Sequence, residues 1–165
     1  MKESSYLEGQ EYVIKRIKVL PIFKQYTEEQ LKDLLRLSKI HQYQTNEVLI
    51  KEGSHEKSIF FMLSGSVQVE KDGNIIAKLK KSGDIFGEIG FLDEGPRSST
   101  VRATSETICL LVDVSYLLNL QEKGRDSFHA AIYKMFAEVL AHRLRETTKN
   151  LSDLQIECDR IKRIT

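Results

Sequence analysis

Residues 38–113 alternate short apolar runs with turn residues, and this pattern limits the possible folds more than any other feature of the sequence. Each run has the length of a single strand, and Gly53, Gly65 and Gly83 lie in the intervening turns. Asp72-Gly73, between "SVQVEK" and "IIAKL", predicts a two-residue hairpin. Many short strands at regular spacing predict a small barrel or jelly roll. The apolar runs cover residues 48–50, 59–63, 67–69, 75–79 and 108–112.

Helical periodicity flanks this β-rich region on both sides. Before it, apolar residues recur at helix spacing, and Thr27 with Gln30 has the pattern of a capping box. After it, we expect a short helix through Leu120, capped by Asp113 or Ser115, and a long helix from about Asp126 to the end. The predicted fold is mainly β with flanking helices, a double-stranded β-helix (a jelly-roll-like β-roll). Its predicted parts are an N-terminal helical segment (residues 1–37), the β-roll (38–113) and C-terminal helices (114–165).

Charge and cysteine usage exclude several classes of protein. The formal net charge of +1 gives no basic field for nucleic acid, and the longest apolar run is far too short to cross a bilayer. Two cysteines make no disulfide framework, which favours a cytoplasmic location. Cys109 lies in the apolar run "TICLLVDV" and is expected to be a small core residue.

The C-terminal segment carries a heptad pattern. Leu144, Leu151 and Cys158 are seven residues apart, and a second series with the same spacing runs three residues out of phase. One interpretation is a helix that packs on its own roll. We favour self-association into a homodimer, because a stripe that continues so far past the β region has little intramolecular core left to meet. The predicted interface comprises Leu140, Leu144, Thr147, Leu151, Leu154 and Cys158.

Residues 86–103, "FGEIGFLDEGPRSSTVRA", contain more glycine, charged and hydroxyl residues than a simple turn needs. Gly87 permits a sharp backbone turn, and residues 88–92 are expected to form one helical turn whose free N–H groups favour an anion. The planar fork of Arg97 matches two phosphate oxygens, and Ser98 and Ser99 add donors. Glu88 is a compatible acceptor for a sugar hydroxyl. Each signal is weak alone, but together they predict a pocket for a nucleotide with a free ribose hydroxyl.

Enzymatic alternatives have little support in the sequence. The four histidines are scattered rather than clustered as a jelly-roll metal site requires, so no metal is expected. The serines lack the setting of a nucleophile elbow, and no glycine-rich loop with a following lysine suggests an ATP site. We therefore expect a binding module and not an enzyme. A dimerisation module without a nucleotide ligand is the other alternative, but it would not need Arg97 and Glu88 together.

The stretch from Phe86 to Ala103 resembles the phosphate-binding cassette of the cyclic nucleotide-binding domain family, and the resemblance covers nearly the whole chain. The resemblance implies that Arg97 pairs with an oxygen of the cyclic phosphate and that Ser98 and the backbone of Ser99 complete the cradle. Glu88 would accept from the ribose 2′-hydroxyl. The backbone of Gly87 and Ile89 would assist Glu88. Ser99 departs from the commoner alanine of the family, although a small residue still fits.

The resemblance also implies contacts to the base. Val69 and Ala77, on facing strands, match positions that line the base in the family, although both are also plausible core residues. "HRLRETTKNLSDL" resembles the dimer helix of the bacterial cyclic-AMP receptor proteins, a branch of the family. Thr147 and Thr148 match two hydroxyl residues that reach the base there, one of them across the dimer. Two threonines are also common on any helix surface.

By the same resemblance the ligand is a cyclic nucleotide. We favour cAMP because the Thr147-Thr148 match is to the receptor-protein branch, while cGMP stays open. Occupancy would pass through residues 117–120 to the C-terminal helix. Too few residues follow that helix for the DNA-reading domain of the receptor proteins, so this chain is not expected to read DNA. The sequence does not identify the downstream effector.

Overall fold

The computed structural model describes residues 2–3, 14–15, 17–18, 23–24, 26–36, 38–92, 95–113 and 125–162. The chain forms two compact units, Met1–Lys123 and Gly124–Thr165. The first contains the β-rich region and the second contains a long helix. The helix expected over residues 113–120 lies, apart from Asp113, outside the described residues.

The first unit contains two antiparallel sheets. One has the strand order β1-β2-β9-β4-β7, and the other has the order β3-β8-β5-β6. Apart from the pairs β1–β2 and β5–β6, strands that are consecutive in the chain lie in different sheets, which is the expected roll topology, and the predicted fold class is confirmed. The strands are β1 Lys2–Glu3, β2 Ser38–Tyr43, β3 Val48–Ile50, β4 Ser58–Ser64, β5 Val67–Lys71, β6 Asn74–Leu79, β7 Ile85–Phe86, β8 Thr100–Ala103 and β9 Thr107–Asp113.

The hydrophobic core draws on both sheets. Phe60 of β4 stacks on Phe86 of β7 with ring centroids 5.1 Å apart, and Val67 and Val101 of the second sheet belong to the same buried cluster. Cys109 is fully buried in this cluster, as predicted, and burial raises the pKa of its thiol to about 12. The core therefore includes residues from both ends of the cassette, Phe86 and Val101.

The β5–β6 hairpin turns as the sequence predicts. Lys71 pairs with Asn74, so that Asp72 and Gly73 form a two-residue loop. Both loop residues have positive φ, 49° and 79°, as a type I′ turn requires. The right-handed twist of the two strands is compatible with this turn, which explains why the pattern Asp-Gly is a reliable local signal.

The described residues of the N-terminal part are α-helical at 14–15, 17–18 and 28–36. Helix α1 spans Glu28–Arg36, and the predicted capping box is confirmed. The Gln30 N–H donates to Thr27 Oγ1 at 3.2 Å, and the Thr27 N–H donates to Gln30 Oε1 at 2.9 Å. Within the predicted N-terminal helical segment (residues 1–37), Lys2–Glu3 forms a strand that pairs with β2. A sheet edge offers unpaired backbone groups to any extended segment, whatever its side chains.

Two further helices lie after β7 in the described parts of the chain. Helix α2, Ile89–Leu92, is one short turn inside the cassette. Helix α3, Arg125–Lys162, forms the second unit and begins within two residues of the predicted position. Leu144, Leu151 and Leu154 are all more than half exposed on α3. Among the helices that the structure describes, none has both the length and the apolarity to cross a bilayer.

Candidate functional site

Gly87 makes the sharp turn that starts the cassette. Its φ is +86°, and a Cβ there would lie 2.9 Å from the carbonyl oxygen of Ser58. Both facts demand glycine, because other residues avoid this backbone conformation and the space is already filled. The chain then enters α2, and the Leu92 N–H donates to the Glu88 carbonyl at 3.2 Å. The predicted helical turn is therefore present.

Arg97 folds back beneath this turn and is only 4% exposed. Its Nη1 donates to the Gly87 carbonyl at 2.6 Å, and its Nη2 donates to the carbonyl of Ser58. Its Nε is buried and has no hydrogen-bond partner among the described residues. The two terminal nitrogens thus fix the plane of the guanidinium, while the third nitrogen keeps a donor available in a place from which water is excluded.

The electrostatic surroundings of Arg97 suit an incoming anion. Burial lowers the pKa of Arg97 from its ordinary value, and the carboxylates of Glu56 and Glu88 act in the opposite direction. The guanidinium nevertheless stays charged, because arginine does not lose its proton in proteins. Glu88 itself is almost completely buried, at 1% exposed. A buried cation with an unused N–H group is a site where a single negative charge is stabilised.

Gly90 and Ser58 are site residues that the sequence analysis missed. A Cβ on Gly90 would lie 2.9 Å from Nη1 of Arg97, so the arginine packs directly on the Gly90 backbone. Spacing gives a weak signal for Gly90, since a second glycine inside so short a helical turn is unusual. Ser58 has no sequence signal, because it contributes only its backbone carbonyl.

The other predicted residues of the cassette differ in their exposure to solvent. Ser98 is exposed and Ser99 is half-buried, and both directly follow Arg97 in the chain. Ile89, at 42% exposed, is the first residue of α2. Carboxylates beside a phosphate pocket would repel the ligand, so the sequence predicts that Asp93 and Glu94 point to solvent; both lie outside the described residues. Within the described parts of the chain, no three His, Cys, Asp or Glu side chains are grouped as a metal site would need.

Val69 and Ala77 are direct cross-strand partners on β5 and β6, as predicted. Val69 also pairs with Val101 of β8, two residues after Ser99, so the pair lies on the sheet that the cassette enters. Val69 is partly buried and packs against the core, whereas Ala77 is exposed. Thr147 and Thr148 belong to the second unit, where both are exposed on α3.

A family model described as the cyclic nucleotide-binding domain matches residues 40–123, about half of the chain. The chain belongs to the cyclic nucleotide-binding domain family. The resemblance inferred from the cassette is thereby confirmed. The match begins in β2 and covers every described residue of the cassette, including Glu88 and Arg97.

Individual relatives carry the same domain. The cAMP-dependent protein kinase regulatory subunit of Debaryomyces hansenii is 36% identical over 96 residues, covering 58% of this chain and 20% of that protein. The cAMP-activated global transcriptional regulator CRP of Pasteurella multocida is 31% identical over 122 residues, covering 70% of this chain and 55% of the regulator. The chain thus spans about a fifth of the first relative and about half of the second.

This chain is also similar to a solved structure. The Thermus thermophilus catabolite activator protein superposes with a TM-score of 0.63 and 26% identity, covering 82% of this chain and 63% of that one. The chain therefore shares its fold with this catabolite activator protein.

Proposed function

We propose that this chain is a sensor domain that binds cAMP in the cassette of residues 86–103. The observation that carries the proposal is Arg97, buried and charged, whose Nε has no hydrogen-bond partner among the described residues. A cyclic phosphodiester carries one negative charge and so balances this one cation. A monoester or triphosphate would bring more charge than a single arginine compensates.

Glu88 and the small cassette residues supply the rest of the proposed contacts. Glu88 lies two residues before Gly90, which packs on the Arg97 guanidinium. The Glu88 carboxylate raises the pKa of Arg97. We propose that Glu88 accepts from the ribose 2′-hydroxyl with the help of the Gly87 and Ile89 backbone. Ser98 and the backbone of Ser99 complete the phosphate cradle.

The base would then lie against the second sheet. Val69 and Ala77 are proposed to contact it, and the adjacent pairing of Val69 with Val101 supports this placement. The names of the curated relatives, a cAMP-dependent kinase subunit and a cAMP-activated regulator, favour adenine over guanine.

Calorimetric titration of the purified chain tests the ligand. We expect cAMP to bind with one site per chain, cGMP to bind more weakly, and 5′-AMP, which has an additional negative charge, to bind weakest of the three. 5′-AMP should bind weakest because Arg97 is a single buried cation. cGMP should bind more weakly than cAMP because the proposed base contacts, Val69 and Ala77, include no hydrogen-bond donor specific for guanine. No heat of binding with either cyclic nucleotide at millimolar concentration would contradict the proposed function, and tighter binding of cGMP would reassign the ligand.

We further propose that α3 pairs with the α3 of a second copy. Leu144, Leu151 and Leu154 are exposed by 68, 56 and 64% within one chain, at the spacing of a coiled-coil seam. Leu140, Thr147 and Cys158 extend the same stripe, and Cys158 is exposed. Thr147 and Thr148 would then be shared between pairing and ligand contact, which would couple the two events.

The dimer has a matched pair of variants. Replacing Leu151 with glutamate is expected to make the protein a monomer, because two buried carboxylates would face each other in the seam. Ile156→Glu changes an equally exposed residue of the same helix that lies outside the seam, and it should leave the dimer intact. Light scattering at tens of micromolar measures both. A monomeric wild-type protein at that concentration would exclude the proposed dimer.

We propose that ligand occupancy is transmitted to α3. The cassette turn would move toward the ligand and change the packing of residues 117–120, which lie outside the described residues. A ligand shifts such an equilibrium only by its difference in affinity for the two states. We also propose a cytoplasmic regulatory protein without catalytic activity or DNA binding of its own. The thiols of Cys109 and Cys158 and the net charge of +1 support this proposal.

A further inference from the structure

The turn at residues 51–54 is fixed to the phosphate end of the proposed site. The Gly53 N–H donates to the Arg97 carbonyl at 2.8 Å, and the Arg97 N–H donates to the Ser54 carbonyl at 2.8 Å. The Glu52 N–H donates to Oγ1 of Thr100, at 3.0 Å, where β8 begins. Three backbone donors therefore hold this turn and the cassette together on both sides of Ser98 and Ser99.

The side chain of Glu52 reaches from this turn to the tip of the β5–β6 hairpin. Its Oε1 accepts from Lys71 Nζ in an ion pair, and its Oε2 accepts from the Asp72 N–H at 3.3 Å. The hydrogen bond lowers the pKa of Glu52 and raises the pKa of Lys71, so both groups are charged at neutral pH. One carboxylate therefore joins the tip of the hairpin to the turn that contacts Arg97.

The hairpin needs such a contact because its tip extends beyond the sheet. Strand β5 pairs with β8 only as far as Glu70, opposite Thr100, and β6 is the edge strand of its sheet. Among the described residues, the hydrogen bonds that join this tip to another part of the chain, those from Lys71 and Asp72, are accepted by Glu52. Ala77 lies on β6, so its position depends on the angle that the hairpin adopts.

We propose that Glu52 is a positioning residue for base recognition. It holds the tip of the hairpin, and with it the edge strand β6 that carries Ala77, at a set distance from the cassette, so that the base and the cyclic phosphate are contacted at the same time. This inference rests on the proposed function, because it assumes that a cyclic nucleotide extends between the two ends. Glu52 itself need not touch the ligand.

Comparing the affinities for two ligands, one with the base and one without it, distinguishes a positioning role of Glu52 from a general loss of structure. Competition against a fluorescent cAMP analogue gives the affinity for cAMP and for ribose 3′,5′-cyclic phosphate, which lacks the base. We expect Glu52→Ala to weaken cAMP binding about fivefold, the order of one exposed ion pair with its hydrogen bond. Binding of the baseless ligand should change less than about twofold. Glu52→Gln, which retains an acceptor for the Asp72 N–H, should be intermediate.

A matched control lies elsewhere in the same unit. Glu106 is an exposed glutamate that accepts from Gln42 Nε2 at 2.9 Å, and Gln42 belongs to the first sheet. Glu106→Ala removes a comparable surface contact away from the hairpin, and we expect the affinities for both ligands to be unchanged. An equal loss in Glu52→Ala and Glu106→Ala would attribute the effect to general destabilisation and would overturn the inference.

Amide hydrogen exchange supplies a readout that needs no ligand. In Glu52→Ala the amide of Asp72 and its neighbours at the hairpin tip should exchange several times faster, while β9 should be unaffected. Unchanged exchange at the tip, or equal losses for cAMP and the baseless ligand, would overturn the positioning role alone. If the wild-type chain binds neither cAMP nor cGMP, the proposed function fails and the base-recognition role of Glu52 fails with it.

Discussion

Replacing Arg97 with alanine is expected to lower the affinity for cAMP by about 2–4 kcal/mol, a fall of about 30-fold to 1,000-fold. Arg97 is the buried cation of the cassette, and its Nε is the donor that its own backbone contacts leave unused. The substitution therefore removes the charge and the hydrogen bond together. Calorimetric titration of the variant beside the wild-type protein measures the loss, and an unchanged affinity would remove Arg97 from the site.

The same substitution also removes two contacts within the chain, so a folding control is needed. Arg97 donates to the carbonyls of Gly87 and Ser58, and Arg97→Ala leaves both without this partner. Arg97→Lys retains a charge but loses the planar fork, and we expect an intermediate affinity. Gly90→Ala retains Arg97 but places a Cβ 2.9 Å from Nη1. It should weaken binding by displacing the guanidinium while urea unfolding stays cooperative.

The β-roll could be predicted from the sequence because its signals are local. The Asp72-Gly73 turn and the capping box of Thr27 each depend on residues within a few positions of one another, and both are present. The pairing of Val69 with Ala77 does not follow from this turn alone, because the register of the hairpin shifts by one residue between Val69 and Glu70. Strand β1 had no such signal, because a sheet edge accepts an extended segment through its backbone.

The interior of the site could be predicted only in part. The motif identified Arg97 and Glu88 as binding residues, but not the carbonyl groups that orient the arginine. The Ser58 carbonyl lies 39 residues away in the chain, and any residue in that position offers the same oxygen. The ion pair between Glu52 and Lys71 joins positions 19 residues apart through a turn and a hairpin that meet only after folding. Such contacts depend on tertiary placement, which spacing along the chain does not encode.

Gly65 is the position at which a single methyl group is expected to cost the most stability. Its φ is +99°, and a Cβ would lie 2.5 Å from both the Glu106 carbonyl oxygen and Thr107 Oγ1. Thr107 is fully buried, and its single hydroxyl proton lies between two acceptors, the carbonyl oxygens of Ser105 at 2.9 Å and Ser66 at 3.1 Å, so it has little freedom to move. Gly65→Ala combines backbone strain with overpacking, and we expect a loss of about 3–5 kcal/mol in the free energy of unfolding.

A second glycine separates these two causes. Gly53 also has a positive φ, +76°, but a Cβ there would meet nothing within 4 Å. Gly53→Ala should therefore lose only the backbone contribution, about 1–2 kcal/mol. Urea unfolding of both variants and the wild-type protein measures the difference, provided that the slope against denaturant is unchanged. Equal losses would mean that the Glu106–Thr107 backbone moves aside freely. In that case, backbone conformation alone would explain the requirement for glycine at both turns.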